Sequence, residues 1–368
     1  MLAPLLLAAS ALALIVVAWL FFDGLVASAQ HRRAAQKRRL ATQPISLRVV
    51  ARQEHGDELF SVELEPLSRR TRLPAYLPGQ ALTLVVPAAR PLKRRYSLAA
   101  WTPRPRAYRL GIRREAGGAA SPWLHTHLQV GAVIQALPPV GRFVLDPAHR
   151  DIVLVGGGIG ITPMAAMADA VATQPNGRRV WLHYAARREI ELIDDARYRT
   201  LDAEHAWFHY RPILSRPDED WPNATGHLDA ARLMDGPPDP RAAHYYFCAR
   251  GEMMHALMDA LAGLGVPREQ LHWESFGGTQ NDDQTSYAVE FGEHAYEFAG
   301  QPSLLAAFED WQLPIDAECR AGECGACRLR LVAGEVADCQ ASHCELPPGE
   351  ILACCKVPRS PLKLARAG

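Results

Sequence analysis

Cysteine spacing near the C-terminus constrains the fold of this chain more than any other feature of its sequence. Seven of the eight cysteines follow residue 318, and three of them form the pattern C-x4-C-x2-C at Cys319, Cys324 and Cys327. A fourth, Cys354, lies further along in the run GEILACCKVP. Thiolates clustered in this way indicate a metal or cluster site within one C-terminal module.

The spacing is typical of a plant-type 2Fe-2S site. Three thiolates on one tight loop surround a small cluster, and the distant fourth completes the ligand set. Small residues at Gly322 and Gly325 would let backbone N–H groups approach the sulfurs. A structural zinc site is the alternative, because four thiolates also suit zinc, although zinc sites usually pair two short C-x2-C knuckles. Cys355 is the alternative to Cys354 as the fourth ligand.

Composition excludes several other classes of protein. Lys plus Arg and Asp plus Glu each total 40, so the formal net charge is zero, which argues against a nucleic-acid-binding protein held by bulk charge. Apolar residues make up 48% of the chain and charged residues 22%, as is ordinary for folded domains. A length of 368 residues predicts two or three such domains.

The first 22 residues carry no charged side chain. As a helix they would extend about 33 Å, enough to cross the apolar core of a bilayer. Seven basic residues and no acidic one lie between positions 24 and 53, which by the positive-inside rule puts the following domains in the cytoplasm. A cleaved secretory signal is the alternative, because Ala27-Ser28-Ala29 resembles a cleavage site. We expect a transmembrane anchor over 1–26, a basic linker over 27–43 and a single-pass location in the cytoplasmic membrane.

Strand patterns change at residue 151. Before it, short β-rich runs such as ISLRVVAR and YRLGIRR are separated by Gly, Pro and charged turns, which predicts an antiparallel β-barrel over 44–150. After it, apolar strands alternate with helical stretches at Pro163–Thr173 and Glu252–Leu264. This βαβ pattern predicts a parallel α/β sheet over 151–278.

A polar, Gly-containing stretch over 279–285 is interpreted as a linker. The last domain would then cover 286–368. Within it, YAVEF and HAYEF predict a hairpin and a helix is expected near Ser303–Trp311, ahead of the cysteine loop.

A glycine run opens the predicted α/β domain. The strand Ile152–Val155 leads into GGGIGITP, and then into a helix. Glycines permit a tight turn and close approach of the backbone to a pyrophosphate, and the helix N-terminus supplies N–H groups. A glycine run alone also fits an ordinary strand–helix turn, but Thr162 and Pro163 add a hydroxyl for capping and a proline in the first helical turn. The candidate cofactor-binding residues here are Gly157, Gly158, Gly160, Thr162 and Pro163.

The predicted barrel contains Arg95-Tyr96-Ser97 and, downstream, the run GGAAS with Gly118 and Ser121. An arginine can bind a flavin phosphate, a tyrosine can lie against the isoalloxazine ring and a serine hydroxyl can approach its N5 atom. Because alternate residues of a strand face the same side, Arg94 is expected to be a solvated neighbour of Arg95.

Together, RRYSL, PGQ, GGAAS, GGGIGITP and the cysteine pattern resemble the ferredoxin–NADP reductase superfamily fused to a plant-type ferredoxin. The resemblance extends over about residues 44 to 364. It implies a flavin-binding barrel, an NAD(P)-binding domain and a ferredoxin domain of the α+β β-grasp type. Leu352-Ala353 precedes Cys354 as it precedes the ligand in similar ferredoxins, which favours Cys354 over Cys355.

The resemblance also implies roles for individual residues. Flavin contacts would come from Arg95, Tyr96, Ser97, Leu98, Gly118 and Ser121. Glu274 and Phe276 end the last strand of the NAD(P) domain, where the family often has a carboxylate and an aromatic ring near the flavin. Cys248 begins a motif that usually reads Cys-Gly-Pro in the family and reads Cys-Ala-Arg-Gly here. Hydride transfer would involve Ser97, Cys248 and Phe276, and the cluster would be held by Cys319, Cys324, Cys327 and Cys354.

The predicted function is electron transfer from NAD(P)H through a flavin to the 2Fe-2S cluster and on to an oxygenase, desaturase or hydroxylase. Trp101 could stack on an adenine, which favours FAD over FMN. No acidic residue occupies positions 184–188, whereas Arg187 and Arg216 suit a 2′-phosphate, which favours NADPH over NADH. The expected anchor points to a di-iron desaturase or hydroxylase in the membrane as the acceptor. A stand-alone diaphorase for quinones or metalloproteins, or a cluster-based redox sensor, is the alternative.

Overall fold

The computed structural model describes most of the chain after residue 42. It covers residues 43–68, 70–87, 92–115, 118, 120–249, 251–275, 286–317, 320, 322, 324–339, 342 and 344–367, without the side chains of 251, 252 and 275.

No helix within these described ranges is both long and apolar enough to cross a membrane. This finding overturns the expected single-pass location in the cytoplasmic membrane. The segment on which that expectation was based, the anchor over 1–26 with the linker over 27–43, lies outside the described residues apart from position 43.

Six strands form the first sheet, in the order β4-β3-β6-β1-β2-β5. The pairs β1–β2, β2–β5, β3–β4 and β3–β6 are antiparallel. A bridge between Leu98 and Leu110 joins the ends of the two edge strands, so that the sheet closes into a barrel. Its strands are Ile45–Glu54 (β1), Leu59–Pro66 (β2), Ala81–Val86 (β3), Leu92–Ser97 (β4), Tyr108–Arg113 (β5) and Val133–Val140 (β6), with one short helix, Ser121–His127 (α1).

The second sheet has six parallel strands in the order β10-β9-β8-β7-β11-β12. Apolar clusters cover both of its faces, which is why strands such as DIVLVGG are continuously apolar rather than alternating. The strands are Asp151–Gly157 (β7), Arg179–Ala186 (β8), Phe208–Leu214 (β9), Ala224–Thr225 (β10), His244–Ala249 (β11) and Leu271–Ser275 (β12). The helices are Ile161–Thr173 (α2), Asp195–Glu204 (α3), Ala230–Met234 (α4) and Gly251–Gly263 (α5).

The third sheet has the order β14-β13-β19-β15-β17, with a separate antiparallel pair β16–β18. Strands β13 and β14 form the hairpin predicted from YAVEF and HAYEF. The helix begins after Ser303, whose side chain accepts a hydrogen bond from the Ala306 N–H as an N-cap. The elements are Tyr287–Phe291 (β13), His294–Phe298 (β14), Leu304–Asp310 (α6), Arg328–Ala333 (β15), Val336–Asp338 (β16), Glu350–Leu352 (β17), Lys356–Pro358 (β18) and Leu362–Arg366 (β19).

Candidate active site

Strand β4 directs two of its side chains toward the parallel sheet. The Ser97 hydroxyl donates a hydrogen bond to Glu274 Oε2 at 2.9 Å, and Arg95 Nη2 lies 3.6 Å from Glu274 Oε1. The side chains of Arg95 and Glu274 are 7% and 4% exposed. A buried carboxylate on β12 therefore ties the barrel to the last strand of the parallel sheet.

The intervening residues of β4 face the cysteine domain. Arg94 Nη2 lies 3.7 Å from Glu309 Oε1 on α6, and Glu309 also pairs with Arg320 of the cysteine loop. Burial and the nearby Arg320 guanidinium lower the pKa of Arg94. Burial raises the pKa of Tyr96, while the positive charges of Arg94 and Arg320 act to lower it. The expectation that Arg94 is solvated is therefore wrong, because the neighbouring domain covers it.

Close backbone packing explains the glycines of the strand–helix turn. A Cβ on Gly160 would lie 1.8 Å from the Cys248 carbonyl oxygen, and one on Gly157 would lie 2.8 Å from the Ala249 Cβ. Gly158 has φ +54°, a conformation that L side chains rarely adopt. The turn between β7 and α2 thus lies directly against the end of β11.

The helix after this turn begins at Ile161, two residues before the predicted start. Pro163 is in its first turn, as the sequence indicates. The Thr162 hydroxyl does not cap the helix; instead it donates to the Ile159 carbonyl at 3.0 Å. Its Cγ2 atom would lie 2.7 Å from a Cβ on Gly111, so a barrel glycine allows β5 to approach the turn.

Cys248 is fully buried on β11, in register with Gly156 on one side and Glu274 on the other. Burial and the Glu274 carboxylate raise the pKa of its thiol well above the usual value. The side chain is therefore a neutral thiol at pH 7. Phe276, the third residue expected near the hydride-transfer position, lies outside the described residues.

A cavity of about 470 Å³ opens at the carboxyl edge of the parallel sheet. Its lining includes Gly157, Gly158, Gly160 and both arginines predicted to select the nucleotide, Arg187 and Arg216. The same two arginines line an adjoining cavity of about 300 Å³. Parallel α/β sheets bind their ligands at this edge, so the cavity suits an extended dinucleotide.

The remaining barrel residues that were predicted to contact the flavin make hydrogen bonds and packing contacts with the nearby backbone. The Leu98 N–H donates to the Gln80 carbonyl, and its side chain is fully buried. The Ser121 hydroxyl accepts from the Glu115 N–H at 3.0 Å, and a Cβ on Gly118 would lie 3.0 Å from that hydroxyl oxygen. The indole N–H of Trp101 donates to the Tyr76 carbonyl at 2.8 Å, which fixes the ring.

Three of the four predicted cluster ligands lie within the described residues, and Cys319 does not. Cys324 is exposed and accepts a contact of 3.5 Å from the Ala326 N–H, the kind of N–H···S bond that tunes a cluster. Cys354 is buried beside Cys327. A hydrogen bond with the Cys327 thiol lowers the pKa of Cys354. A hydrogen bond with Cys355 and burial act in the opposite direction, and the pKa of Cys354 is raised to about 12. A donor set of thiols facing one loop suits a thiolate-bound cluster.

Cys355 lies behind this group. Its Sγ atom is 3.6 Å from that of Cys354, its side chain is fully buried, and its carbonyl accepts from the Cys339 N–H. Cys344 lies close to the loop from the other side, since a Cβ on Gly325 would be 3.1 Å from its sulfur. The choice of Cys354 over Cys355 stays a prediction.

Comparison with known proteins matches two parts of the chain to known domain families. Residues 154–259 match the oxidoreductase NAD-binding domain family, and residues 291–359 match the 2Fe-2S iron-sulfur cluster binding domain family. Over 310 residues the chain is 32% identical to the ferredoxin reductase component of a 3-ketosteroid-9-alpha-monooxygenase from Mycobacterium tuberculosis, which covers 77% of this chain and 83% of that protein. The chain belongs to the ferredoxin reductase family. The predicted family is thereby confirmed.

Two further comparisons show how much of the chain is similar to known proteins. The flavohemoprotein of Pseudomonas aeruginosa is 33% identical over 235 residues, 62% of this chain, and the chain spans only 58% of its length. The solved structure of phthalate dioxygenase reductase shares the fold, with a TM-score of 0.63, 23% identity, and coverage of 88% of this chain and 97% of that one. The two matched domains confirm the predicted nicotinamide and 2Fe-2S cofactors, and family membership supports a flavin as the third.

The sequence analysis missed the contact between Arg94, Glu309 and Arg320. Arg94 is more than 200 positions from Glu309 and Arg320 in the chain, and all three are charged residues of the kind usually found at exposed positions. One signal could have indicated the contact: Arg320 lies inside the C-x4-C loop, where a charged side chain must face either solvent or a neighbouring domain.

Proposed function

We propose that this reductase transfers electrons from NAD(P)H through a flavin and its 2Fe-2S cluster to a separate acceptor protein. The position of strand β4 is the observation that carries the proposal. Arg95 and Ser97 contact Glu274 of the parallel sheet, while Arg94 contacts Glu309 beside the cysteine loop. A group held by β4 would have the nucleotide domain on one side and the cluster domain on the other.

The proposal assigns 44–150 to flavin binding, 151–278 to NAD(P) binding and 286–368 to the cluster, with a linker at 279–285. When bound, a flavin accepts a hydride from the nicotinamide and can release the two electrons singly to an iron–sulfur cluster. The chain itself supplies binding and orientation. Cys319, Cys324, Cys327 and Cys354 would hold the cluster.

Flavin binding is assigned to the barrel. Arg95 would hold a phosphate with charge-assisted hydrogen bonds, and Tyr96 and Leu98 would border the ring system. Gly118 and Ser121 would shape the loop around the phosphates. The indole of Trp101, whose N–H is held by the Tyr76 carbonyl, would stack on the adenine of FAD.

Positioning for hydride transfer is assigned to Ser97, Cys248 and Phe276. Ser97 is held by Glu274, which orients its hydroxyl. Cys248, next to the last residue of β11, would fix the backbone against which a nicotinamide is placed, since its carbonyl lies against Gly160 of the glycine turn. Thr162 and Pro163 support that turn from the first turn of α2.

We further propose a preference for NADPH. Arg187 and Arg216 are exposed, and both line the large cavity and the smaller one beside it. The Arg216 N–H donates to the Arg187 carbonyl at 2.8 Å, so the two residues are held together. Paired guanidinium groups at the carboxyl edge of the sheet suit a 2′-phosphate.

The proposed acceptor is the metalloenzyme component of an oxygenase. The relative from Mycobacterium tuberculosis is by name the reductase component of a monooxygenase, which supports this class of partner. A di-iron desaturase or hydroxylase is a further acceptor of the same chemical kind. A stand-alone quinone reductase, the alternative, would need the flavin but not the cluster.

Acceptor reduction by two cysteine variants tests the proposal. Ferricyanide can take electrons from a reduced flavin, whereas we expect reduction of cytochrome c, a one-electron acceptor protein, to require the cluster. Cys354→Ser should keep NADPH–ferricyanide activity and lose NADPH–cytochrome c activity together with the cluster spectrum. Cys355→Ser, the matched control, should keep all three.

Full cytochrome c reduction by a cluster-free Cys354→Ser protein would refute the electron path and favour the quinone reductase. Loss of the cluster in Cys355→Ser with retention in Cys354→Ser would reverse the ligand assignment and leave the path intact.

A further inference from the structure

Three histidines meet at the edge of the parallel sheet opposite the nucleotide cavity. His149 precedes β7, His244 is the first residue of β11 and His272 is the second residue of β12. These three strands are adjacent and parallel, so their N-terminal ends lie at one edge. The glycine turn is at the other end of β7, about 20 Å away along a seven-residue strand.

The three imidazoles contact one another directly. One ligand nitrogen from each ring can be chosen so that all three lie within 4.8 Å of one another. His244 Nδ1 is 3.2 Å from His272 Nε2, and the rings of His149 and His244 stack with centroids 3.3 Å apart. Burial lowers the pKa of all three imidazoles, that of His272 to about 4. Neutral imidazole is the form that binds metal.

We propose that His149, His244 and His272 bind a divalent transition cation of the zinc type. Two nitrogens bound to one tetrahedral zinc are separated by about 3.3–3.4 Å, given Zn–N bonds of about 2.0–2.1 Å. The observed 3.2 Å between His244 and His272 matches this separation. Without a metal, one of these two nitrogens carries the proton of its ring and donates it in a hydrogen bond to the other. To bind the metal, that ring carries its proton on its other nitrogen instead.

Residues around the histidines complete the coordination. Asp146 Oδ2 is 3.9 Å from His149 Nε2 and offers a carboxylate as a fourth ligand. His149 Nδ1 is 2.8 Å from the Tyr246 hydroxyl, which also accepts from the Asp146 N–H at 3.1 Å. With its proton on Nδ1, His149 donates to Tyr246 and keeps Nε2 for the metal. Such outer contacts orient histidine ligands in known metal sites.

The ligand chemistry favours a borderline cation over a hard one. Imidazole nitrogens suit zinc, copper, nickel and iron, whereas magnesium and calcium select oxygen ligands. A metal here would connect the starts of three neighbouring strands and would stabilise the parallel sheet at the edge away from the nucleotide.

Zinc binding to the full-length holoenzyme tests the proposal. Elemental analysis after dialysis should show one zinc per chain in addition to the iron. Zinc-edge X-ray absorption, which does not detect the iron cluster, should show nitrogen or oxygen ligands at about 2.0 Å rather than sulfur at about 2.3 Å.

Two variants and a control locate the site. His149→Gln and His244→Gln should each weaken zinc binding at least about tenfold, while NADPH–ferricyanide activity shows that the proteins remain folded. His294→Gln, at an exposed position of β14, should bind zinc as the unchanged protein does. Zinc–sulfur ligation, equal zinc affinity in all the variants, or no zinc bound by the unchanged holoenzyme would each overturn the proposal.

Discussion

Replacing Glu309 with Gln should uncouple the cluster domain from the barrel without affecting the nucleotide site. Glu309 lies between Arg94 and Arg320, with its Oε1 atom 3.7 Å from Arg94 Nη2. Two unit charges about 4 Å apart interact by about 4 kcal/mol at an effective dielectric constant of about 20. The side chains are 14% and 27% exposed, so solvent screening reduces this value, and we expect a loss of about 2 kcal/mol. That loss corresponds to about a 30-fold fall in the ratio of docked to undocked cluster domain.

Stopped-flow spectroscopy with NADPH separates the two steps. In Glu309→Gln, flavin reduction should keep its rate, while the following reduction of the cluster should slow by about 10- to 30-fold. Asp310→Asn is the matched control, because it removes the same charge from the next, exposed position of α6. Added salt should slow cluster reduction in the unchanged protein more than in Glu309→Gln. Cluster reduction at the normal rate in Glu309→Gln, or equal slowing in Asp310→Asn, would refute the reasoning.

Three further substitutions test the cofactor sites. Arg95→Ala should lower flavin content about tenfold or more at limiting flavin, since a charge-assisted hydrogen bond contributes about 1.5–3 kcal/mol; full occupancy, measured by absorbance of released flavin, would contradict this. Gly160→Ala should lower the free energy of unfolding by about 1–3 kcal/mol, because the added Cβ would overlap the Cys248 carbonyl. Gly263→Ala is the control: its added Cβ would contact no other atom, so the melting temperature should be unchanged. Arg187→Ala should raise the KM for NADPH about tenfold and leave that for NADH almost unchanged; an equal rise for both would show that the arginine contacts a part that the two nucleotides share.

The order of strands and helices was largely predictable because it depends on local periodicity. Continuous apolar runs such as DIVLVGG indicated strands buried on both faces, and two alternating segments indicated the β13–β14 hairpin. Helix α2 begins two residues early because Gly158–Gly160 form a 3-10 turn that continues into it. The membrane location, inferred from the apolar N-terminal run and its basic flank, was wrong.

Contacts between domains could not be predicted in the same way. The partner of Glu274 is more than 170 positions away in the chain, and the partner of Arg94 is more than 200 away. The hydrophobic periodicity and the turn residues of a sequence indicate only the structure of one element at a time, and not which distant residues it contacts. The histidine cluster could not be predicted for the same reason, because its three members come together only when β7, β11 and β12 pair.

Strand β4 shows how a local rule produces a long-range arrangement. Successive residues of a strand point to opposite sides, so Arg95 and Ser97 reach Glu274 while Arg94 reaches Glu309. The register is imposed by β3, which pairs with β4 along its whole length and whose residues are almost entirely buried. A slip of one residue would exchange the two sets of side chains and direct each toward the wrong domain. The buried face of β3 therefore determines which side of β4 meets the nucleotide domain and which meets the cluster.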